Sequence, residues 1–110
     1  MDRQLERYRE IARNLISEYA RYKPSHGDIE LRAISDRDFY LLVSFGWSGD
    51  RRVHSTILHL RIDRGKIWIE RDETEEGIAQ DLLDRGVPKE DIVLAFYHPD
   101  DRQLTDFAIA

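Results

Sequence analysis

The chain has no cysteine among its 110 residues, which excludes a disulfide scaffold, a thiol nucleophile and a thiolate metal site, and agrees with a reducing compartment. No run approaches the roughly 18 uninterrupted apolar residues of a membrane span. The opening MDRQLERYRE lacks the apolar segment of a secretory signal, so a soluble, cytoplasmic protein is expected. Imidazole is scarce: His26, His54, His59 and His98 are the whole supply. Ser25, Ser44, Ser48 and Ser55 lack the context of a nucleophile elbow, and Gly46 and Gly49 make no phosphate-cradling loop before a helix. No repeat, low-complexity stretch or linker breaks the chain, and its length suits one hydrophobic core, so residues 1–110 are expected to form a single domain. Leu, Ile, Val and Phe number 30 of the 110 residues, above the fifth below which disorder is the better expectation.

Positive charge is in deficit, with 17 Lys and Arg against 22 Asp and Glu, and the deficit is local. Residues 1–23 balance at +2 and residues 24–69 at +1, whereas residues 70–106 hold four cations against twelve anions, a balance of −8. A protein that grips DNA by its phosphates needs a basic face. The first segment offers a stripe of Arg3, Arg7, Arg13, Arg21 and Lys23, but Glu6, Glu10 and Glu18 interleave with it, which reads as a solvated helix face with spaced ion pairs.

Apolar residues at Leu5, Tyr8, Ile11, Ala12, Leu15, Ile16, Tyr19 and Tyr22 recur at the spacing of one helical face, and Pro24-Ser25-His26-Gly27 is expected to end that helix. Asp28–Ser35 alternates as a half-buried strand, with Ile29, Leu31 and Ala33 on one side. Phe39–Trp47 is apolar enough to predict a central strand covered on both faces for part of its length. Val53–Ile62 and Lys66–Arg71 follow, separated by Ser48-Gly49-Asp50 and Asp63-Arg64-Gly65. Links this short imply an antiparallel meander of four strands, because parallel neighbours need long crossovers. Thr74 is placed to cap a second helix containing Ile78, Ala79, Leu82 and Leu83, with Gly86 as its stop. Ile92–Phe96 reads as a short strand, and QLTDFAIA as a strand or an irregular cover for the core. The fold class is therefore α+β: an amphipathic N-terminal helix on an antiparallel meander, then a helix, a short strand and a C-terminal segment.

The search for chemistry finds little. His54 and His59 are five apart, so on a regular strand they point to opposite faces and share no ligand. His59, between Leu58 and Leu60, reads as a hydrogen-bonded packing residue. The carboxylates Glu70, Asp72, Glu73, Glu75 and Glu76 lack a calcium-loop pattern and fit a helix N-terminus. Glu70 and Asp72 are placed to face one way on a strand, as paired carboxylates in hydrolases do, but no companion Lys or His is near. No catalytic residue, metal or cofactor is assigned. The unusual features are aromatic and basic: Trp47 beside Arg51 and Arg52, Trp68 between Ile67 and Ile69 and facing away from both, and Tyr97-His98 near the tail. Trp68 needs a cover, either a second layer that the helices could supply or a partner, with the helices favoured.

The segments GWSGDRRVH, ILHLRID, GKIWIERDETEEGIAQDLLDRGVPKEDIVLAFYHP and FAIA, with the opening LERYREIARNLISEYARYKPSHGDIE, closely resemble the XisI family of fdxN element excision controlling factors over essentially the whole chain. The resemblance implies an α+β fold and an accessory role in excising a DNA element that interrupts a nitrogen-fixation operon in cyanobacteria, where a separate site-specific recombinase cuts and rejoins the DNA. It implies as partner a XisH-like protein of restriction-endonuclease-like nuclease fold, and it carries over no catalytic residue.

The leading expectation is a non-enzymatic protein-binding module whose acidic surface docks on such a partner. The candidate contact residues are Trp47, Arg51, Arg52, Glu73, Glu76, Asp84, Tyr97, His98 and Asp101. The alternative is a DNA-binding accessory factor that contacts phosphates through the first helix or the Arg51-Arg52 turn, which the net charge disfavours. A metal-dependent hydrolase built on Glu70 and Asp72 ranks last. A homodimer is compatible with all three.

Overall fold

The computed structural model describes residues 3–22 and 28–110, so the expected helix stop at Pro24–Gly27 lies outside the described residues. The apolar stripe folds as helix α1 (Arg3–Ala20), which buries Tyr8, Ile11, Ala12, Leu15 and Ile16. It packs across strands β1 (Asp28–Asp36), β2 (Phe39–Ser48) and β3 (Arg51–Asp63). With β4 (Lys66–Asp72) these form the expected antiparallel meander. At the β3–β4 hairpin, Arg64 and Gly65 both take left-handed backbone (φ 54° and 76°), the requirement of a turn whose twist matches its strands.

Strand β5 (Ile92–Leu94) adds to the free side of β4 in parallel, so the sheet is mixed, in the order β1-β2-β3-β4-β5. A parallel neighbour needs a crossover, supplied here by helix α2 (Ile78–Asp84) and a 3-10 turn at Lys89–Asp91. The apolar run expected to continue to Phe96 leaves the ladder after Leu94 and turns outward, exposing Phe96 and Tyr97. Beyond it lie one helical turn, α3 (Pro99–Arg102), and an irregular tail that makes a parallel bridge to the sheet between Val93 and Ala108.

The start of α2 differs from expectation. Thr74 does not cap it; the helix begins four residues later, after Gly77, and the Asp72 carboxylate reaches across to accept the Ile78 N–H at 2.7 Å. Asp72 also takes the Thr74 N–H (2.9 Å) and hydroxyl (2.5 Å). One carboxylate thus orders the loop and satisfies a helix-end donor, while the Thr74 hydroxyl is spent on Asp72 itself. Gly86 ends the helix as expected. Its φ of 91° lets its own N–H bond the Leu83 carbonyl and the Val87 N–H bond the Leu82 carbonyl, both at 3.0 Å.

The core lies between the sheet's inner face and the two helices. It holds Leu15, Ile16, Tyr40, Leu42, Leu58, Leu60, Ile67, Ile69, Ile78, Leu82 and Ile92 among others. Polar clasps register the helices at its edge. Tyr8 donates its hydroxyl to Asp91, Tyr19 donates to Asp81 at 2.6 Å, and Arg85 pairs with Glu18 at 2.8 Å. Only the first half of β1 is half-buried, at Ile29 and Leu31. Strand β2 is covered on one face alone, at Tyr40, Leu42, Ser44 and Gly46, so the expectation of two covered faces fails.

Candidate interaction surface

The outer face of the sheet follows from strand register. Residues of β2 that point away from the helices, Phe39, Leu41, Val43, Phe45 and Trp47, form an apolar column. Beside it on β1 run Asp36, Ile34, Arg32, Glu30 and Asp28, and on β3 Arg61, His59, Thr56, His54 and Arg52. Phe39 and Trp47 are each about half exposed, at 49% and 50%. Among the described residues, neither α1 nor α2 crosses this face, because both contribute to the core on the other side.

Two bulges overturn the period-two reading of the polar residues. Leu42 pairs with Leu58 but Val43 with Thr56, so Ile57 is an extra residue in β3. The insertion restores His54 and His59 to the same face, where they line one shallow groove with Thr56, Glu70 and Arg71. The expectation of opposite faces is therefore wrong. His59 is packed as expected, its ring 5.8 Å from that of Phe39, but its buried Nε2 has no hydrogen-bond partner among the described residues.

The second bulge sets Glu70 and Arg71 together against His59. Glu70 turns to the outer face and binds Arg61 at 3.0 Å, while Asp72 turns inward to cap α2. The two carboxylates expected to face one way are thus parted. Among the described residues, no three His, Cys, Asp or Glu side chains gather as a metal-holding set.

Trp68 shares the outer face with Trp47, paired across from Arg61, yet it is only 8% exposed. Its cover comes from neither α1 nor α2. Arg61 and Arg102 lie over its ring at 4.8 and 5.6 Å, and its indole N–H donates to the Asp63 carbonyl at 3.1 Å. Arg102 is itself held over the ring by the carbonyls of Ala95, Tyr97 and Ile109 at 3.1–3.3 Å.

The nine candidate contact residues do not form one patch. Trp47 and Arg52 meet, the guanidinium 5.6 Å from the ring centre, at one end of the outer face, with Arg51 exposed at the adjoining turn. Glu73 and Glu76 sit in the β4–α2 connection, where with Glu75 they edge an open groove that also involves Tyr19, Tyr22, Leu31 and Ile57. Glu73 is paired with Arg71, and Tyr22 is 73% exposed. Asp84 is exposed at the end of α2. Tyr97, His98 and Asp101 lie apart at the tail, where His98 Nδ1 accepts the Asp100 N–H at 3.2 Å and caps α3. The groove's aromatic wall and the β2 column are the features that sequence patterning missed. Tyr19 and Tyr22 share the apolar spacing of the α1 stripe, and the β2 column has the composition of a core strand.

Burial pushes the Tyr19 hydroxyl well above the usual phenol range, and its hydrogen bond to Asp81 adds to the shift. Tyr8 is raised by burial and by Asp91, and Tyr40, buried without a hydroxyl partner, by burial. On α1, Arg9 is committed to Asp38 at 2.8 Å and Glu6 at 2.6 Å, and Arg7 to the Arg85 carbonyl at 3.1 Å. Those two guanidiniums are drawn into intramolecular contacts. Among the described residues, no helix is long and apolar enough to cross a membrane.

Comparison with known proteins gives a consistent result. The model of the XisI protein family matches residues 1–109. The crystal structure of a XisI-like protein from Anabaena variabilis is 37% identical, with a TM-score of 0.89 over 96% of this chain and 99% of that one. The crystal structure of the fdxN element excision controlling factor XisI from Anabaena variabilis is 41% identical, with a TM-score of 0.78 over 97% of this chain and 99% of that one. No curated protein matches. With the family's model matching nearly every residue and two relatives of the same fold above a third identical, this chain belongs to the XisI family.

Proposed function

We propose that this protein is an accessory controlling factor in the excision of a DNA element, acting in the cytoplasm as a non-enzymatic module that binds a XisH-like protein of nuclease fold. The observation that carries the reading is its 41% identity, across nearly the whole of both chains, to a protein named for excision control. The surface supports a protein partner. The groove edged by Glu73, Glu75 and Glu76 joins an apolar and aromatic wall to an acidic lip, the combination that takes a basic, partly apolar segment. It belongs to the stretch whose charge balance is −8, complementary to the basic face with which a nuclease-fold protein meets DNA. Asp84 and Asp101 extend the negative field beyond the groove, where charge steers encounter more than it holds the complex.

The test is size-exclusion chromatography with light scattering on the two proteins, mixed and alone, at low and moderate salt. The expected result is a discrete complex that loosens as salt rises. Two unchanged peaks at both salts would remove this reading. A labelled duplex, titrated in parallel, would then decide whether the exposed Arg51 and the remaining cations of α1 hold DNA directly.

A further inference from the structure

We propose that the outer face of β1–β3 is a self-association surface, on which a second copy of this chain packs about a two-fold axis running along β2. The inference is independent of the XisH-like partner and uses a different face. Its starting point is the apolar column of β2, half-buried at Leu41, Val43 and Phe45 and half exposed at its two ends, Phe39 and Trp47. Such a column fits many occupants; the charges beside it select one.

Register places an acid on β1 and a nitrogen base on β3 at the same level in three rows, each separated by a β2 residue: Asp28 with Arg52, Glu30 with His54, and Asp36 with Arg61. Glu30 is already paired with Arg32, and Arg61 with Glu70 and Asp63, so the row of Asp28 and Arg52 carries the argument. Two identical faces can meet about a two-fold axis in the interface plane in two simple ways. If the axis crosses β2 at right angles, β1 lies over β1 and β3 over β3, which opposes acid to acid and base to base. If the axis runs along β2, the apolar columns meet, and each β1 acid lies over the partner copy's β3 base at its own level. Only the second arrangement is self-complementary, as a two-fold interface must be. The roughly 30° at which aligned sheets cross is within the reach of an arginine side chain. Three strands about 4.8 Å apart, and a β1 of nine residues at about 3.4 Å each, give a face of roughly 15 by 30 Å. That lies at the small end of specific interfaces, so the expected dimer dissociates on dilution.

Sedimentation velocity on the full chain, from about 1 to about 500 µM to span weak association of this size, tests the proposal. A reversible dimer is expected. Val43→Asp, at the centre of the outward column, should leave a monomer at every concentration, with circular dichroism and melting temperature showing that it folds. Asp28→Arg alone should raise the dissociation constant about tenfold or more, since like charges then oppose each other at both symmetric positions. Asp28→Arg with Arg52→Asp should restore it. A monomer throughout the range, or a dimer indifferent to Val43→Asp, overturns the surface. A dimer that the double reversal fails to restore overturns the axis.

Discussion

Trp47 and Trp68 lie on the same face of the same sheet, each with a guanidinium against its ring, and one is 50% exposed while the other is 8% exposed. The difference comes from what holds the arginine. Arg52 over Trp47 has one long hydrogen bond, to the Gly46 carbonyl at 3.4 Å. Over Trp68, Arg61 is fixed by Glu70 and Asp63, and Arg102 by three tail carbonyls. A single loosely held cation decorates an indole. Two that are tied on every side wall it off, so the tail serves the β4–β5 side of the outer face as α1 serves the inner face. Among the described residues, the β1–β3 side has no such cover.

The contrast is most sharply tested by truncation. Trp68→Ala should cost about 3–5 kcal/mol, as removing a buried aromatic does, whereas Trp47→Ala in dilute protein should stay within about 1 kcal/mol. Chemical denaturation monitored by circular dichroism checks both. Equal losses would mean that Trp47 is as much a part of the core as Trp68.

Removing the covers is the next step. Arg102→Ala should cost about 1–3 kcal/mol through the part-buried Ala95 carbonyl it leaves unpaired and the uncovered ring, and it should shift Trp68 emission to the red in a Trp47→Phe background. Arg52→Ala should change stability by no more than about 0.5 kcal/mol. A modest effect is expected at the inner clasp. Tyr19→Phe should cost about 1 kcal/mol from the lost bond to Asp81 and alter the alkaline limb of stability. The folded Tyr19 hydroxyl is raised above its ordinary value of 10.0, so above that pH the unfolded chain gives up a proton that the native state keeps. Stability is thus full below pH 10.0 and falls as pH rises toward the folded value. Melting temperature plotted against pH should fall less steeply in Tyr19→Phe.

Much of the scaffold was readable from local pattern. The α1 stripe, the three hairpin turns and the glycine stop at Gly86 are each dictated by residues within a few positions. What escaped was set by tertiary pairing. The bulges at Ile57 and Glu70 carry no local signature, and each reverses the parity of the residues beyond it, so the histidines met and the carboxylates parted. Thr74 lost the helix cap to Asp72 because the loop's path decides which oxygen reaches the Ile78 N–H. Trp68 was correctly read as needing a cover, but Arg102 lies 34 positions away in the chain, and no spacing rule links the two. The candidate contacts fall in separate places, Trp47 with Arg51 and Arg52, Glu73 with Glu76, Asp84 alone and Tyr97, His98 and Asp101 at the tail, because residue type alone does not fix position on a surface.

One titration bears most directly on the function. Calorimetry with the XisH-like protein at low and moderate salt would compare the unaltered chain, Glu73→Arg with Glu76→Arg, and Trp47→Ala. Binding should weaken with salt, disappear with the paired reversals and persist in Trp47→Ala. Binding indifferent to salt and to the reversals would contradict the acidic groove as the partner's site.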